Sequence, residues 1–321
     1  MKNSLITVVI PSRRRPQYLR NALRSVARQY GINGIGCVRV LENSTDDSSR
    51  SVCDEFSDKL PIEYRFRNTN DLDFFGHFRM YLAESYDTKY IAILHDDDWW
   101  LPSHLEASIR AIESHGAVAS YSSFFETNSE SSTLAADANL LFGFAKGFAP
   151  TTEDWAMDFS DITVGSLAGT PGRYSALVVE SALFKKTAEI LDCANICDND
   201  RMLPPYYAQH GLVAFNPLPT VCIRRHAEQD QRRFTGQDII RWNGETTVWM
   251  FKQAKDRGVD LINELNRRIV DCPAEWLDVA LQRLSVPWLY LLLRNHPRLP
   301  TQLRAEWAKR VASQARSSGS T

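Results

Sequence analysis

The chain has 321 residues, 44% hydrophobic and 24% charged, with a formal net charge of −2 at pH 7. That length can bury a sizeable core and suits one α/β domain with an appendage, whereas the near-neutral charge excludes the basic footprint of a nucleic-acid-binding protein. Cys37, Cys53, Cys193, Cys197, Cys222 and Cys272 form neither a CxxC pair nor a disulfide framework, so reduced thiols in a cytoplasmic protein are expected, and no second ligand pair supports zinc at Cys193 and Cys197.

Residues Met1 to Leu5 lead into a strand without the apolar core of a signal peptide, and no run reaches the roughly 20 apolar residues of a spanning helix. Leu5 to Ile10 is a β-branched run closed by Pro11, and from Gln17 to Gln29 the apolar residues Leu19, Leu23, Val26 and Ala27 share one helical face. Val38–Leu41 reads as a second strand, Ser48–Phe56 as a helix, Ile62–Phe66 as a strand, Phe74–Tyr86 as a helix and Tyr90–Leu94 as a fourth strand. Pro102 then opens a helix from Ser103 to Ser114. This alternation predicts a mostly parallel sheet with helices on both faces. From 120 to 175 the pattern weakens, with Phe142, Phe144, Phe148 and Trp155 interspersed, and a long covering segment is expected. Tyr174–Val179 reads as a strand and Leu183–Leu191 as a helix. Cys197–Gly211 carries Asp198, Asp200 and a break at Pro204-Pro205, Thr220–Arg224 is a strand, and helices follow beyond 260. The expected division is a donor-binding half (1–115), an acceptor-binding and catalytic half (116–255) and a C-terminal helical extension (256–321).

In such a sheet, ligands bind beyond the carboxyl ends of the strands. Four polar clusters fall there: Ser12-Arg13-Arg14-Arg15, the stretch from Glu42 and Asn43 to Asp47, Arg67-Asn68, and His95-Asp96-Asp97-Asp98. Three adjacent carboxylates raise one another's pKa unless a cation compensates them. Neither GxxxxGK[ST] nor GxGxxG follows the first strand, so a phosphate cradle of that type is excluded, and a divalent ion bridging carboxylates to a diphosphate is the alternative. Trp99 or Trp100 is expected to stack on a ligand, the other to lie in the core.

Thr7-Val8-Val9-Ile10-Pro11-Ser12, Arg15-Pro16, the helix carrying Leu19, Ala22, Leu23, Ser25, Val26 and Gln29, the Glu42-Asn43-Ser44 turn and the acidic run ending at Pro102 together resemble the family 2 inverting glycosyltransferases. The match covers roughly the first 110 residues in order and spacing. The resemblance implies a GT-A fold, Mn²⁺ or Mg²⁺ as cofactor, a UDP, GDP or dTDP sugar as donor and a hydroxyl of a glycan or lipid-linked oligosaccharide as acceptor. It places Glu42, Arg79 and Asp96 at the donor and Asp97 at the metal, and Pro11, Ser12, Arg15, Asn43 and Arg67 at the same strand ends join the donor set. Arg13 suits either the diphosphate or a solvated cover of the first helix, Trp99 is a stacking candidate for the donor, Asp98 can share the metal, and His226 reads either as a metal residue or as a structural histidine. The resemblance also puts Asp198 in the place of the catalytic base, with Asp200 second, and helix capping stands beside that role for both. Four departures stand out: Glu42 replaces Asp, His95 replaces an acid, Arg13 and Arg14 replace an aromatic and Asn, and Met80 replaces the Asn beside Arg79. Arg224-Arg225-His226 resembles a late motif whose His approaches metal or diphosphate.

Two further readings remain open on sequence. A sugar nucleotidyltransferase would need a Gly-rich loop after the first strand, and a catalytically silent carbohydrate-binding relative would use Trp99, Trp100 and Trp155 as platforms. At the C-terminal end, the apolar stretch Val286–Leu293 with its basic flanks suits either a core or homodimer helix or a peripheral contact with an anionic membrane.

Overall fold

A computed structural model describes residues 5–31, 34–68, 82, 84–128, 133–134, 153–168, 170, 172–193, 199–226 and 236–270. Strands β1 (Ile6–Ser12), β2 (Ile35–Ser44), β3 (Ile62–Asn68) and β4 (Tyr90–Ile93) are joined in the parallel order β3-β2-β1-β4. β1 and β4 are buried along their whole length, which is why they read as continuous apolar runs rather than alternating ones. Helix α1 (Pro16–Val26) has Pro at its first turn and buries Leu19, Ala22, Leu23 and Val26. Each such leucine contributes about 1.5–3 kcal/mol to the core. The short helix α2 (Ser49–Asp54) follows β2, as expected.

The sheet continues through three later strands and ends on a short strand just after β4, in the order β4-β9-β6-β10-β5. Here β5 is Trp99–Trp100, β6 Ala119–Asn128, β9 Leu177–Glu180 and β10 Val213–Arg225. β9 runs antiparallel to both β4 and β6, and β10 runs parallel to β6. Two short strands, β7 (Thr133–Leu134) and β8 (Trp155–Met157), pair with β6 and β10. Helix α3 (His104–His115) ends where Gly116 takes the left-handed conformation, at φ 60°. Further helices are α4 (Phe159–Ala168), α5 (Ser181–Cys193), α6 (Asn199–Ala208), α7 (Gly236–Asp256) and α8 (Leu261–Val270).

Three expectations are corrected. The weakly patterned segment from 120 to 175 begins with the ten-residue strand β6, which lies inside the sheet, and later contributes α4. β6 is hidden in the sequence because its buried positions include Ser120, Ser122 and Ser123 among its aromatics. The second correction is at Tyr174–Ala176, a single 3-10 turn, so the strand itself is only Leu177–Glu180. Lastly, α6 passes through Pro204 and Pro205 instead of breaking, held by the buried Met202, Leu203, Tyr206 and Tyr207. Most of the expected Phe74–Tyr86 helix, Phe142, Phe144, Phe148 and Val286–Leu293 lie outside the described residues. Among the described residues, no helix is long and apolar enough to cross a membrane.

Candidate functional site

The acidic run leaves β4 as a tight turn in which Asp98 N–H donates to the His95 carbonyl at 3.1 Å. Asp96, Asp97 and Asp98 are all buried, at 4%, 8% and 4% exposure, and their surroundings divide the charge unequally. Asp97 Oδ2 lies 2.9 Å from His226 Nε2 and 3.1 Å from the Arg15 guanidinium. Burial alone would raise the Asp97 pKa, but the His226 hydrogen bond and the positive field of His95 and Arg15 outweigh it and hold the carboxyl below its ordinary value. Burial and the Asp97 charge push Asp96 up to about 7, despite Arg15 at 3.4 Å. The same two causes raise Asp98 well above the carboxylate range. Negative charge therefore concentrates on Asp97.

Asp98 is tied on both oxygens. Oδ1 accepts Arg224 N–H at 2.9 Å and Oδ2 accepts the Ser175 hydroxyl at 2.6 Å. Ser175 Oγ also accepts His95 N–H at 3.1 Å, and the His95 ring stacks on Tyr174 at 5.7 Å. One ligand atom each from His95, Asp97 and Asp98 lies within 4.8 Å of the others. An imidazole with two carboxylates is a donor set that suits Mn²⁺ or Mg²⁺, so these residues fit a divalent cation.

The β1–α1 turn faces this run. Arg13 N–H donates to Asp96 Oδ2 at 3.3 Å and the Arg15 side chain spans Asp96 and Asp97. Between them Arg14 sits at φ 55°, the one non-glycine residue in the left-handed region among the described residues. That conformation costs about 1–2 kcal/mol. Arg14 N–H donates at 3.0 Å to Glu42 Oε1, and a charge-assisted bond of this kind contributes about 1.5–3 kcal/mol, enough to offset the strain. Glu42 is fully buried, and its Oε2 accepts the Ser49 hydroxyl at 2.7 Å. Beside it, Ser12 Oγ and Asn43 Oδ1 are buried polar atoms without a hydrogen-bond partner.

A second cluster lies on the β6 and β10 side. Arg173 reaches Asp200 at 3.3 Å and Glu126 at 3.8 Å, and Arg225 also pairs with Glu126. Asp200 Oδ1 accepts Tyr174 N–H at 3.1 Å, so this acid orders the 173–175 segment that in turn holds Asp98. The Arg224 guanidinium is sandwiched between Tyr18 and Trp99, 4.8 Å from each ring, and its Nε donates to the Asp97 carbonyl at 3.0 Å. Trp100, by contrast, is core: it is buried, and its indole N–H donates to the Ser175 carbonyl at 2.6 Å. Trp155 packs on Phe215, with ring centroids 4.8 Å apart.

Of the residues singled out from sequence, Arg13, Arg15, Asp96, Asp97, Asp98 and His226 converge, with His95 and Trp99 at their margin. Pro11 and Ser12 end β1, and Asn43 lies with Glu42 at the end of β2. Arg67 stands beside Asn43 in register, near the carboxyl end of the edge strand β3, and pairs with Glu84 at 3.4 Å. Arg79 and Asp198 lie outside the described residues, although α6 begins at Asn199. Sequence reasoning missed Tyr18, Glu126, Arg173, Tyr174 and Ser175. The one available cue was the Pro171-Gly172 turn: a Cβ on Gly172 would stand 2.5 Å from the Tyr121 ring, so the backbone must pass close there.

A family model described as "Glycosyl transferase family 2" matches residues 7–177. In a comparison with solved structures, a crystal structure of S. aureus TarS 1-349 gives a TM-score of 0.53 at 11% identity over 94% of this chain and 87% of that one. The same protein in complex with UDP-GlcNAc gives 0.53 at 12% identity, covering 94% and 88%. At these identities the likeness establishes the fold, a GT-A sheet. No protein of curated function matches the chain.

Proposed function

Because the chain belongs to glycosyl transferase family 2, we propose that it is a metal-dependent, inverting glycosyltransferase moving a sugar from a nucleoside-diphosphate donor to a hydroxyl of a glycan or lipid-linked oligosaccharide. The observation that carries this reading is the geometry of the acidic run, where one ligand atom each from His95, Asp97 and Asp98 lies within 4.8 Å of the others and His226 Nε2 stands 2.9 Å from Asp97 Oδ2. Such a donor set suits a divalent ion, and Mn²⁺ or Mg²⁺ held by Asp97 with His226, His95 or Asp98 would offset charge on the departing diphosphate. UDP-GlcNAc on the TarS neighbour supports a nucleotide-sugar donor.

The chain's own residues then divide the work. Arg13 and Arg15 supply donors to the diphosphate. Asp198, the residue that precedes Asn199 in sequence, takes the proton of the acceptor hydroxyl in a single displacement. Asp200 is the alternative base, but both its oxygens already accept hydrogen bonds, from Tyr174 N–H and Arg173, which favours a supporting role. Calorimetric titration with UDP, GDP and dTDP, each with Mn²⁺, tests the reading. Metal-dependent binding of at least one supports it, and binding of none overturns it. Nucleotide binding without release of nucleoside diphosphate from any donor would instead favour a silent carbohydrate-binding relative.

A further inference from the structure

The geometry points to Glu42 as a positioning residue that sets the β1–α1 turn, and not as the group that reads the nucleotide base. The inference rests on the donor-binding reading above. Glu42 occupies the position at which the family resemblance puts a base-contacting acid, yet its carboxylate is fully buried and engaged on both oxygens, by Arg14 N–H and by the Ser49 hydroxyl. Arg14 is the residue that needs this help, since its left-handed backbone is one that Arg adopts unfavourably. On either side of it, Arg13 N–H and the Arg15 guanidinium contact Asp96 and Asp97. Three consecutive residues thus grip three carboxylates. Glu42 fixes the middle one, and through it the register in which the outer two meet the acidic run.

Base reading and turn setting make opposite forecasts for nucleotides that differ only in the base. Affinities for UDP and CDP with Mn²⁺ should be measured by calorimetry for the wild type, E42Q, R14G and the double variant. If Glu42 sets the turn, E42Q, which keeps an acceptor for Arg14 N–H but removes its charge, weakens UDP and CDP alike by about fivefold, the difference of about 1 kcal/mol between a charge-assisted and a neutral hydrogen bond. In the R14G background, where glycine takes the left-handed conformation unaided, the same change costs about twofold or less. S49A, which releases only the other carboxylate oxygen, should give a smaller loss in the same direction, again equal for both bases. A loss confined to one base, of the same size with and without R14G, would overturn the inference.

The melting temperatures of the four proteins form a parallel cycle: E42Q should lower Tm less in the R14G background than in wild type, and strict additivity counts against the role. A wild-type chain that binds none of UDP, CDP, GDP and dTDP would defeat the donor reading, and the Tm cycle would still decide the part played by Glu42.

Discussion

Lowering the pH from 7.5 to 5 should destabilise this protein through His104, by an amount that can be worked out. The ring is fully buried at the start of α3, its Nδ1 is 2.9 Å from Thr220 Oγ1, and its Nε2 has no hydrogen-bond partner. Burial lowers its pKa to about 3, against about 6.5 in an unfolded chain. A folded-state value below the unfolded one means that the unfolded chain binds the proton, so stability is intact above about pH 6.5 and falls as pH drops toward 3. At pH 5 the unfolded imidazole is almost wholly protonated and the folded one almost wholly neutral, a difference of about 2 kcal/mol. For a chain of this size that corresponds to about 3 °C in Tm. Other groups titrate across the same range, so the measurement is the difference between wild type and His104→Asn, which keeps a polar atom near Thr220. Urea unfolding at both pH values should show the wild type losing about 2 kcal/mol more than the variant. Equal losses would refute the argument. The effect reaches the site, because His104 packs on Trp100, with ring centroids 4.6 Å apart, directly behind the acidic run.

Other perturbations test the site itself. Asp97→Asn should weaken Mn²⁺ binding, read by electron paramagnetic resonance, by more than about 100-fold, beyond the usual effect of an outer-shell change. Asp198→Asn should leave UDP affinity in place and slow transfer by about 10²–10⁴-fold; normal turnover would move the base elsewhere. Arg224→Ala removes the stack between Tyr18 and Trp99 and the bond to the Asp97 carbonyl, and should cost about 2–3 kcal/mol in urea unfolding. Gly172→Ala drives a methyl group into the buried Tyr121 ring and should cost about 1–3 kcal/mol by the same assay.

The N-terminal third of the chain was readable because its elements are repetitive. β1 and β4 are uniformly apolar, α1 keeps its helical spacing and Pro16 marks its start, so boundaries from sequence fall within a few residues of those found. The acidic run was legible as a charge problem, and Asp97 and His226 were paired with the same metal although 129 positions apart. The later part of the chain was obscured for physical reasons. β6 fills buried positions with serines, such as Ser122, whose hydroxyl lies 3.4 Å from His104 Nδ1, and an apolar pattern does not record such positions. Residues such as Ser175 and Arg173 acquire their roles only because a 3-10 turn brings them beneath Asp98 and beside Glu126. Glu42 shows the converse limit: its place in the chain was evident, but the bonds that occupy its carboxylate depend on the backbone angle of a different residue.

The strand order carries one more consequence. In a flat sheet, four strand spacings separate β4 from β5, about 19 Å, yet the chain passes between them through the turn at His95–Asp98, whose ends lie within about 7 Å. With the links from Ile93 to His95 and from Asp98 to Trp99 the connection reaches at most about 18 Å, so a flat sheet would leave it fully stretched around its turn, and curvature relieves it. β10 carries an irregularity suited to such curvature: its pairing with β6 slips between Asn216 and Val221, around Pro217 and Pro219, and only beyond this break does it take up Trp99 and Trp100. The acidic run is thus tied at one end to the parallel strands and at the other to the far edge of the same sheet, and a break some 120 residues downstream lies beside its second anchor.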